Sequence, residues 1–329
     1  MRGTRHRPVV AMTGATSSIA APLAVQLGED PAFGRIIFID SEFPSLDGSR
    51  TDCRALDLID PSSDEKIHEI LAAENVDILL HCAFTEFPSR TPQLAHELET
   101  VGTMNVLSAC AKRKLSKLIL FSHTFLYGAH ADNPQLLREE HPLRGDKSIQ
   151  FQADKIEAER LVAEFAQRNP ATVVSILRVC PLVGPSVANL ETRLLSSLIV
   201  PVIAGYNPPI QLIHQQDAIR AFKMFCDHDY PGVFNITGKG FVPLLSAIRL
   251  MGNVPVPVPE PVHAIVAGSL YTFYLASLPQ QLGPFLKFPF LASGDKAEAV
   301  TGYRATYTIT EVIEEFYRGM ARRLFERQG

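Results

Sequence analysis

PVVAMTGATSSIAAPLAVQLG, residues 8–28, opens on a short apolar run of strand length that ends in Thr13 and Gly14. Residues 17–28 fit a helix, and small or hydroxylated residues, Gly14 to Ser18, lie between the two. Strand, glycine turn and helix make one βα unit, and a succession of such units predicts a parallel sheet.

The succession is there. RIIFID (35–40), VDILLHCAF (76–84), KLILFSH (117–123) and TVVSILRV (172–179) read as strands. The helix-like segments SSDEKIHEILAAEN (62–75), 92–114 and 151–168 fall between them. Strands rich in Val, Ile and Leu on both faces are buried on both faces. With right-handed crossovers, the expected class is α/β, a Rossmann-like doubly wound parallel sheet. After about residue 180 prolines crowd in, and helices are expected at 189–200, 216–228, 243–251 and 309–325, with one late strand in VFNITG (233–238). Residues 1–180 are therefore read as a dinucleotide-type domain to which 210–240 return, and 181–329 mostly as a smaller C-terminal substrate lobe.

With 329 residues, 46% of them hydrophobic, the chain is long enough for a large core. A net charge of -4 gives no electrostatic reason to expect nucleic acid. Five cysteines, an odd number without a CxxC spacing, suggest neither a disulfide framework nor a metal site, and point to a reducing cytoplasm. The N-terminus begins basic, but TGATSS is too polar for a secretory core. No uninterrupted apolar run is long enough to span a membrane. The nearest approach, VHAIVAGSLYTFYLASL (262–278), reads as a buried or substrate-facing helix.

Gly14 opens the position where backbone amides and a helix N-terminus meet a pyrophosphate. Ser17 and Ala20 stand where further glycines are usual, and Thr16, Ser17, Ser18 and Ile19 complete the candidate turn. Asp40 ends the second strand, where a carboxylate would accept ribose hydroxyls and repel a 2′-phosphate; this favours NAD over NADP. The plainer readings are a Ser/Thr helix cap and a strand-end turn residue.

From these landmarks the chain resembles the extended short-chain dehydrogenase/reductase superfamily, in its NAD-dependent epimerase/dehydratase branch, over roughly residues 8 to 320. ALDLID (55–60) is similar to the segment whose Asp57 and Leu58 flank the adenine. HCAF (81–84) resembles H-x-A-A, which implies that Ala83 and Phe84 line the cofactor. VGTMNVLSAC (101–110), ILRVCPLVGP (176–185) and IQLIHQQDAIRAF (210–222) resemble further family segments. FSHTFLYG (121–128) resembles the strand end that carries a catalytic hydroxyl, which implies Thr124. FQADK (151–155) resembles the family's Tyr and Lys one helical turn apart, with Lys155 kept and Phe151 at the usual tyrosine position. Glu99 stands where the resemblance implies asparagine.

The resemblance implies hydride transfer at a hydroxyl-bearing carbon, with a nucleotide sugar as the expected substrate and a homodimer across 92–114 and 151–168. Thr85, Arg178 and His214 are the candidate substrate contacts. For Arg178 a carboxylate pair is an equal alternative; for His214 and Asp217 a structural role is the stronger one. Arg193, Arg220 and Lys223 would meet a diphosphate or face solvent. Without the phenol, the proton falls to Lys155 or to Thr124 through water. Strand alternation predicts that His123 and Tyr127 point away from Thr124. Two competing functions stand beside this one: a dinucleotide sensor without turnover, and a reductase or isomerase of a hydrophobic substrate, suggested by the apolar stretch 262–290.

Overall fold

The computed structural model describes residues 6–44, 50–85, 91–185, 187–263 and 280–326. Most of the apolar segment 262–278 lies outside them.

Seven parallel strands form the main sheet: β1 (Val10–Thr13), β2 (Ile36–Asp40), β3 (Thr51–Ala55), β4 (Ile78–His81), β5 (Lys117–His123), β6 (Val173–Val179) and β11 (Gly232–Ile236). Their spatial order is β11-β6-β5-β4-β1-β2-β3. Side chains alternate between two apolar layers. Val10, Met12, Ile36 and Phe38 pack on one face, against Leu23 and Leu27 of α1 (Ala20–Glu29) and Phe222 and Phe225 of α7 (Gln215–Asp227). Ala11, Ile37 and Ile39 pack on the other face. There they meet α2 (Ser63–Ala73), α4 (Thr103–Arg113) and α5 (Gln150–Arg168). Burial on both faces explains why these strands are apolar throughout.

The edge strand β3, TDCRA, is only partly buried and has no apolar period; the sequence offers no signal for it. The expected helix 92–114 is interrupted. α3 (Pro92–His96) passes into a π-helical turn, Glu97–Gly102, before α4 begins. Thr100 and Thr103 donate their hydroxyls to the carbonyls of His96 and Glu99, each four residues back, which competes with the regular ladder.

Past β6 the expected helix 189–200 is shorter. α6 (Leu190–Leu195) begins at an Asn189–Thr192 capping box and ends where the Ser196 hydroxyl donates to the Thr192 carbonyl. The chain then forms β8 (Ile199–Ile203), which pairs in parallel with β13 (Val254–Val258). The prolines of VPVPV are tolerated because this pair stands alone, and half the amides of such a strand need no partner. Four short strands form two further pairs: β9 (Pro209–Ile210) with β12 (Val242–Pro243), and β10 (Ile213–His214) with β7 (Leu182–Val183). With α8 (Leu244–Leu250), α9 (Asp295–Thr301) and α10 (Ile309–Glu326), they complete the C-terminal part. Among the described residues no helix is long and apolar enough to cross a membrane.

Strand order reverses between β1 and β4. The carboxyl ends of β1, β2, β4 and β5 there hold Gly14, Asp40, Ala83 and Thr124 at a topological switch point, where doubly wound folds bind ligands.

Candidate functional site

Gly14 has φ +75, and a Cβ on it would lie 2.2 Å from the Cys82 carbonyl oxygen at the end of β4. Both facts demand glycine there. Asp40 turns its carboxylate across the turn: Oδ2 accepts from the Ala15 amide at 2.7 Å and Oδ1 from the Ser41 amide at 2.7 Å. Asp40 thus joins the end of β2 to the turn. The first turn of α1 contains no acidic residue that would repel an anion. The N-cap of α1 is Ile19 and not a serine, although Ser17 Oγ accepts from the Ala20 amide at 3.1 Å. Gln215, at the start of α7, donates to the Ser18 carbonyl at 2.7 Å and ties the turn to the C-terminal part. His81 pins the floor of this end, bridging the hydroxyls of Thr13 and Thr103 at 2.7 and 2.9 Å. Its complete burial pushes its pKa down to about 3, so it is neutral.

Asp57 is exposed and caps its own turn, accepting from the Ile59 amide. Leu58 is buried, and its carbonyl accepts from Ser63 and Asn105. Ala83 and Phe84 follow β4 directly, and the Phe84 ring meets His81 edge-on at 5.0 Å.

Lys155 comes from α5, and its ammonium lies 2.7 Å from Glu99 Oε1. The two side chains are 3% and 1% exposed, so the ion pair is buried. Glu99 sits in the π-helical turn, an irregularity that recurs at functional sites. The same Oε1 accepts from the Thr85 amide at 2.9 Å and the Thr85 hydroxyl at 2.5 Å, whereas Oε2 is buried without a hydrogen-bond partner. The ammonium also lies 4.6 Å from the centre of the Phe151 ring and 5.2 Å from that of Phe84, within cation–π range. Lys155 therefore faces Phe151 as the spacing predicts, but its opposing charge is Glu99.

Thr124 begins the short 3-10 turn after β5; its hydroxyl is buried and has no hydrogen-bond partner. A cavity open to solvent is lined by Thr85, His123, Phe125 and Phe151 from the sheet side and by Leu194, Leu212, Phe285 and Phe290 from the C-terminal part. The rings of His123, Phe125 and Phe151 stack in sequence, with centroids 5.0 and 5.5 Å apart. The alternation argument holds for Tyr127, which turns away to bond Asn235 and Arg178. His123 also points differently from Thr124: it lines the cavity, and Thr124 does not. Burial, aided by the Lys155 ammonium, holds the His123 pKa well below its usual value.

Arg178 is not a cavity residue. Its guanidinium is buried against Glu159, with Nε 2.9 Å from Oε1, and donates to the Tyr127 hydroxyl at 2.7 Å. The carboxylate-pair reading describes it. His214 is outside the cavity too: Nδ1 accepts from the Gln216 amide at the start of α7, and the ring lies tilted against Tyr307 at 4.0 Å. Asp217 accepts from the Thr306 and Tyr307 amides and pairs with Arg220, and Lys223 pairs with Asp30. None of these lines the cavity. Among the described residues no group of His, Cys, Asp or Glu is placed to hold a metal.

A family model described as NAD dependent epimerase/dehydratase family matches residues 10–236. Uncharacterized proteins of Mycobacterium tuberculosis and Mycobacterium bovis are 28% identical over 322 residues, covering 96% of this chain and 85% of theirs. Among solved structures, UDP-glucuronic acid 4-epimerase from Bacillus cereus, in complex with UDP-glucuronic acid and NAD, matches with a TM-score of 0.74 at 17% identity, over 95% of this chain and 99% of that one. UDP-glucose 4-epimerase from Thermotoga maritima, with UDP-glucose, gives 0.74 at 16% identity, over 96% and 99%. dTDP-glucose 4,6-dehydratase from Bacillus anthracis, in complex with NAD, gives 0.72 at 13%, over 96% and 97%. At these identities the likeness to solved structures shows the fold.

Proposed function

The chain belongs to the NAD dependent epimerase/dehydratase family, and from that premise we propose that it oxidises or reduces a hydroxyl-bearing carbon of a small molecule with NAD as its redox partner. The observation that carries the reading is the cradle at the switch point. Gly14, held to glycine by its left-handed φ and by the Cys82 backbone packed against it, opens the turn between β1 and α1 next to a fixed Asp40 carboxylate. The residues present fit the dinucleotide. Gly14, Thr16, Ser17, Ser18 and Ile19 would hold its pyrophosphate, Asp40 a ribose, Asp57 and Leu58 the adenine. Ala83 and Phe84 would line it, and Lys155 would bond the nicotinamide ribose. When bound, NAD supplies the hydride acceptor or donor.

The protein's own task is then the proton. Phe151 carries none, and His123 is neutral. Thr85 is on the cavity wall, and its hydroxyl donates to Glu99. In the proposed arrangement Thr85 passes a proton between a hydroxyl in the cavity and the Glu99 carboxylate, and Lys155 holds that carboxylate in place. The Thr124 hydroxyl, buried behind the wall between His123 and Phe125, has no partner and would reach the reacting oxygen only through water. A positioned acid or base is worth about 10² to 10⁴ in rate. Thr85→Val should therefore lose a factor in that range, whereas Thr85→Ser should keep most of the rate. Both are read as formation of reduced nicotinamide from secondary alcohols.

The reading is tested by calorimetric titration of the protein with NAD, followed by hydride exchange with a panel of alcohols and nucleotide sugars. Absence of heat with NAD refutes it. Tight NAD binding without hydride exchange favours the second reading, a dinucleotide sensor. One observation supports that alternative: the charge of Lys155 is already balanced by Glu99.

A further inference from the structure

We propose that the molecule handled at this site is an uncharged, predominantly apolar alcohol or ketone. The proposal deepens the hydride-transfer reading and rests on it for the identity of the reacting group.

The first support is charge. A nucleotide sugar brings a diphosphate, and taking that dianion out of water requires a cation or several donors. Among the described residues no lysine or arginine lines the cavity. Among those residues the ionisable side chains on the wall are Glu191, an acid, and His123, which burial keeps neutral; neither attracts a phosphate. Of the four candidate cations, three are engaged elsewhere, Arg178 with Glu159, Arg220 with Asp217 and Lys223 with Asp30, and the fourth, Arg193, is not part of the wall.

The second support is the state of the amides on the wall. Asn189 accepts from the Thr192 amide at 2.9 Å and donates to the Leu182 carbonyl at 2.7 Å, which makes it the cap of α6. Gln211 is bound at both ends by the backbone of Ala292, at 3.1 and 3.2 Å. Both amides are turned to structural partners, and a sugar recognised by its hydroxyls needs amides that are not. The remaining wall is aromatic or aliphatic, as in sites for apolar ligands.

The polarity is also graded. Thr85 and His123 come from the ends of the sheet strands and line the cavity beside Phe151. Phe285, Leu286 and Phe290 line the cavity from the C-terminal part. A molecule with one oxygen at the sheet end and a hydrocarbon body toward those residues matches both ends.

The test is binding to the NAD-loaded protein, followed by calorimetry with 1-tetralol, 2-decanol and UDP-glucose. The alcohols should bind with dissociation constants on the order of tens of micromolar, and UDP-glucose should give no heat up to about millimolar concentration. Leu194→Lys, which places an ammonium in the wall, should weaken the alcohols by about tenfold or more. Phe125→Ser is the second variant should the first fail to fold. Micromolar binding of UDP-glucose overturns the proposal, as does failure of both alcohols to bind, or alcohol binding that neither variant weakens. Alcohol binding without any reduced nicotinamide would leave the cavity assignment standing and remove the redox reading instead.

Discussion

Glu99→Gln isolates the charge of the buried pair. The amide oxygen still accepts from the Thr85 amide and hydroxyl, so the change removes the negative charge and little else. What it leaves is the Lys155 ammonium in a setting where its side chain is 3% exposed. Removing one partner of a buried pair costs about 3 to 5 kcal/mol. An unfolding entropy of about 2.1 cal/mol/K per residue, over 329 residues, is about 0.7 kcal/mol/K, so the variant should melt about 4 to 7 °C lower. The penalty has a pH signature. An unpaired buried lysine has a folded pKa below its unfolded one, so its destabilising effect grows as pH falls and shrinks as pH rises toward the ordinary lysine range. Glu99→Gln combined with Lys155→Met removes both charges and should recover most of the loss, giving a coupling energy above about 1.5 kcal/mol in a double-mutant cycle. Calorimetric or circular-dichroism melts at two pH values are sufficient. A Glu99→Gln melt within about 1 °C of wild type, or strictly additive singles, refutes the view that Glu99 is what keeps the lysine charged.

Phe151→Tyr alone should raise hydride transfer by less than about tenfold, because Glu99 already balances the lysine that would lower the phenol pKa; Phe151→Tyr with Glu99→Asn should raise it further, toward the factor of about 10² to 10⁴ that a positioned acid or base supplies. Gly14→Ala should cost about 1 to 2 kcal/mol for a left-handed non-glycine residue, plus the clash with Cys82, and should abolish NAD binding in calorimetry. His81 has its pKa pushed down to about 3 from an ordinary 6.5, so its contribution to stability is complete above about pH 6.5 and is lost progressively as pH falls toward 3. By about pH 5 the loss is about 2 kcal/mol, and His81→Asn should show a correspondingly flatter acid limb in denaturant melts.

The sheet was legible because its strands are apolar on both faces and its turn needs a glycine; both are local properties of a few consecutive residues. β3 was not, because an edge strand that is half exposed has no pattern to distinguish it from a loop. The β8–β13 pair was hidden for a different reason: VPVPV looks like a breaker unless it is known to stand at an edge, and that depends on contacts far along the chain. In the site, Phe151, Lys155 and Glu99 could each be picked out from the sequence as a kept or departed landmark. That Glu99 and Lys155 meet could not, since it depends on a π-helical turn that rotates Glu99 toward α5. Nor could the commitment of Arg178 to Glu159, because an arginine at a strand end looks the same whether it meets a ligand or a buried carboxylate.

A buried lysine needs a counter-charge whether or not the protein turns anything over, so the Glu99–Lys155 pair is not by itself a sign of catalysis. Two features exceed what a structural pair requires. Thr85 donates to the carboxylate from the wall of the cavity, although an alanine there would leave the ion pair intact. Glu99 Oε2 is buried with no donor, and an unsatisfied buried oxygen costs about 1 to 3 kcal/mol. A carboxylate that only holds a lysine would be more stable with both oxygens hydrogen-bonded. The two accounts part on Thr85→Val. If Glu99 is structural, the variant turns over like wild type; if the proton passes through it, the fold and NAD affinity persist while hydride transfer falls.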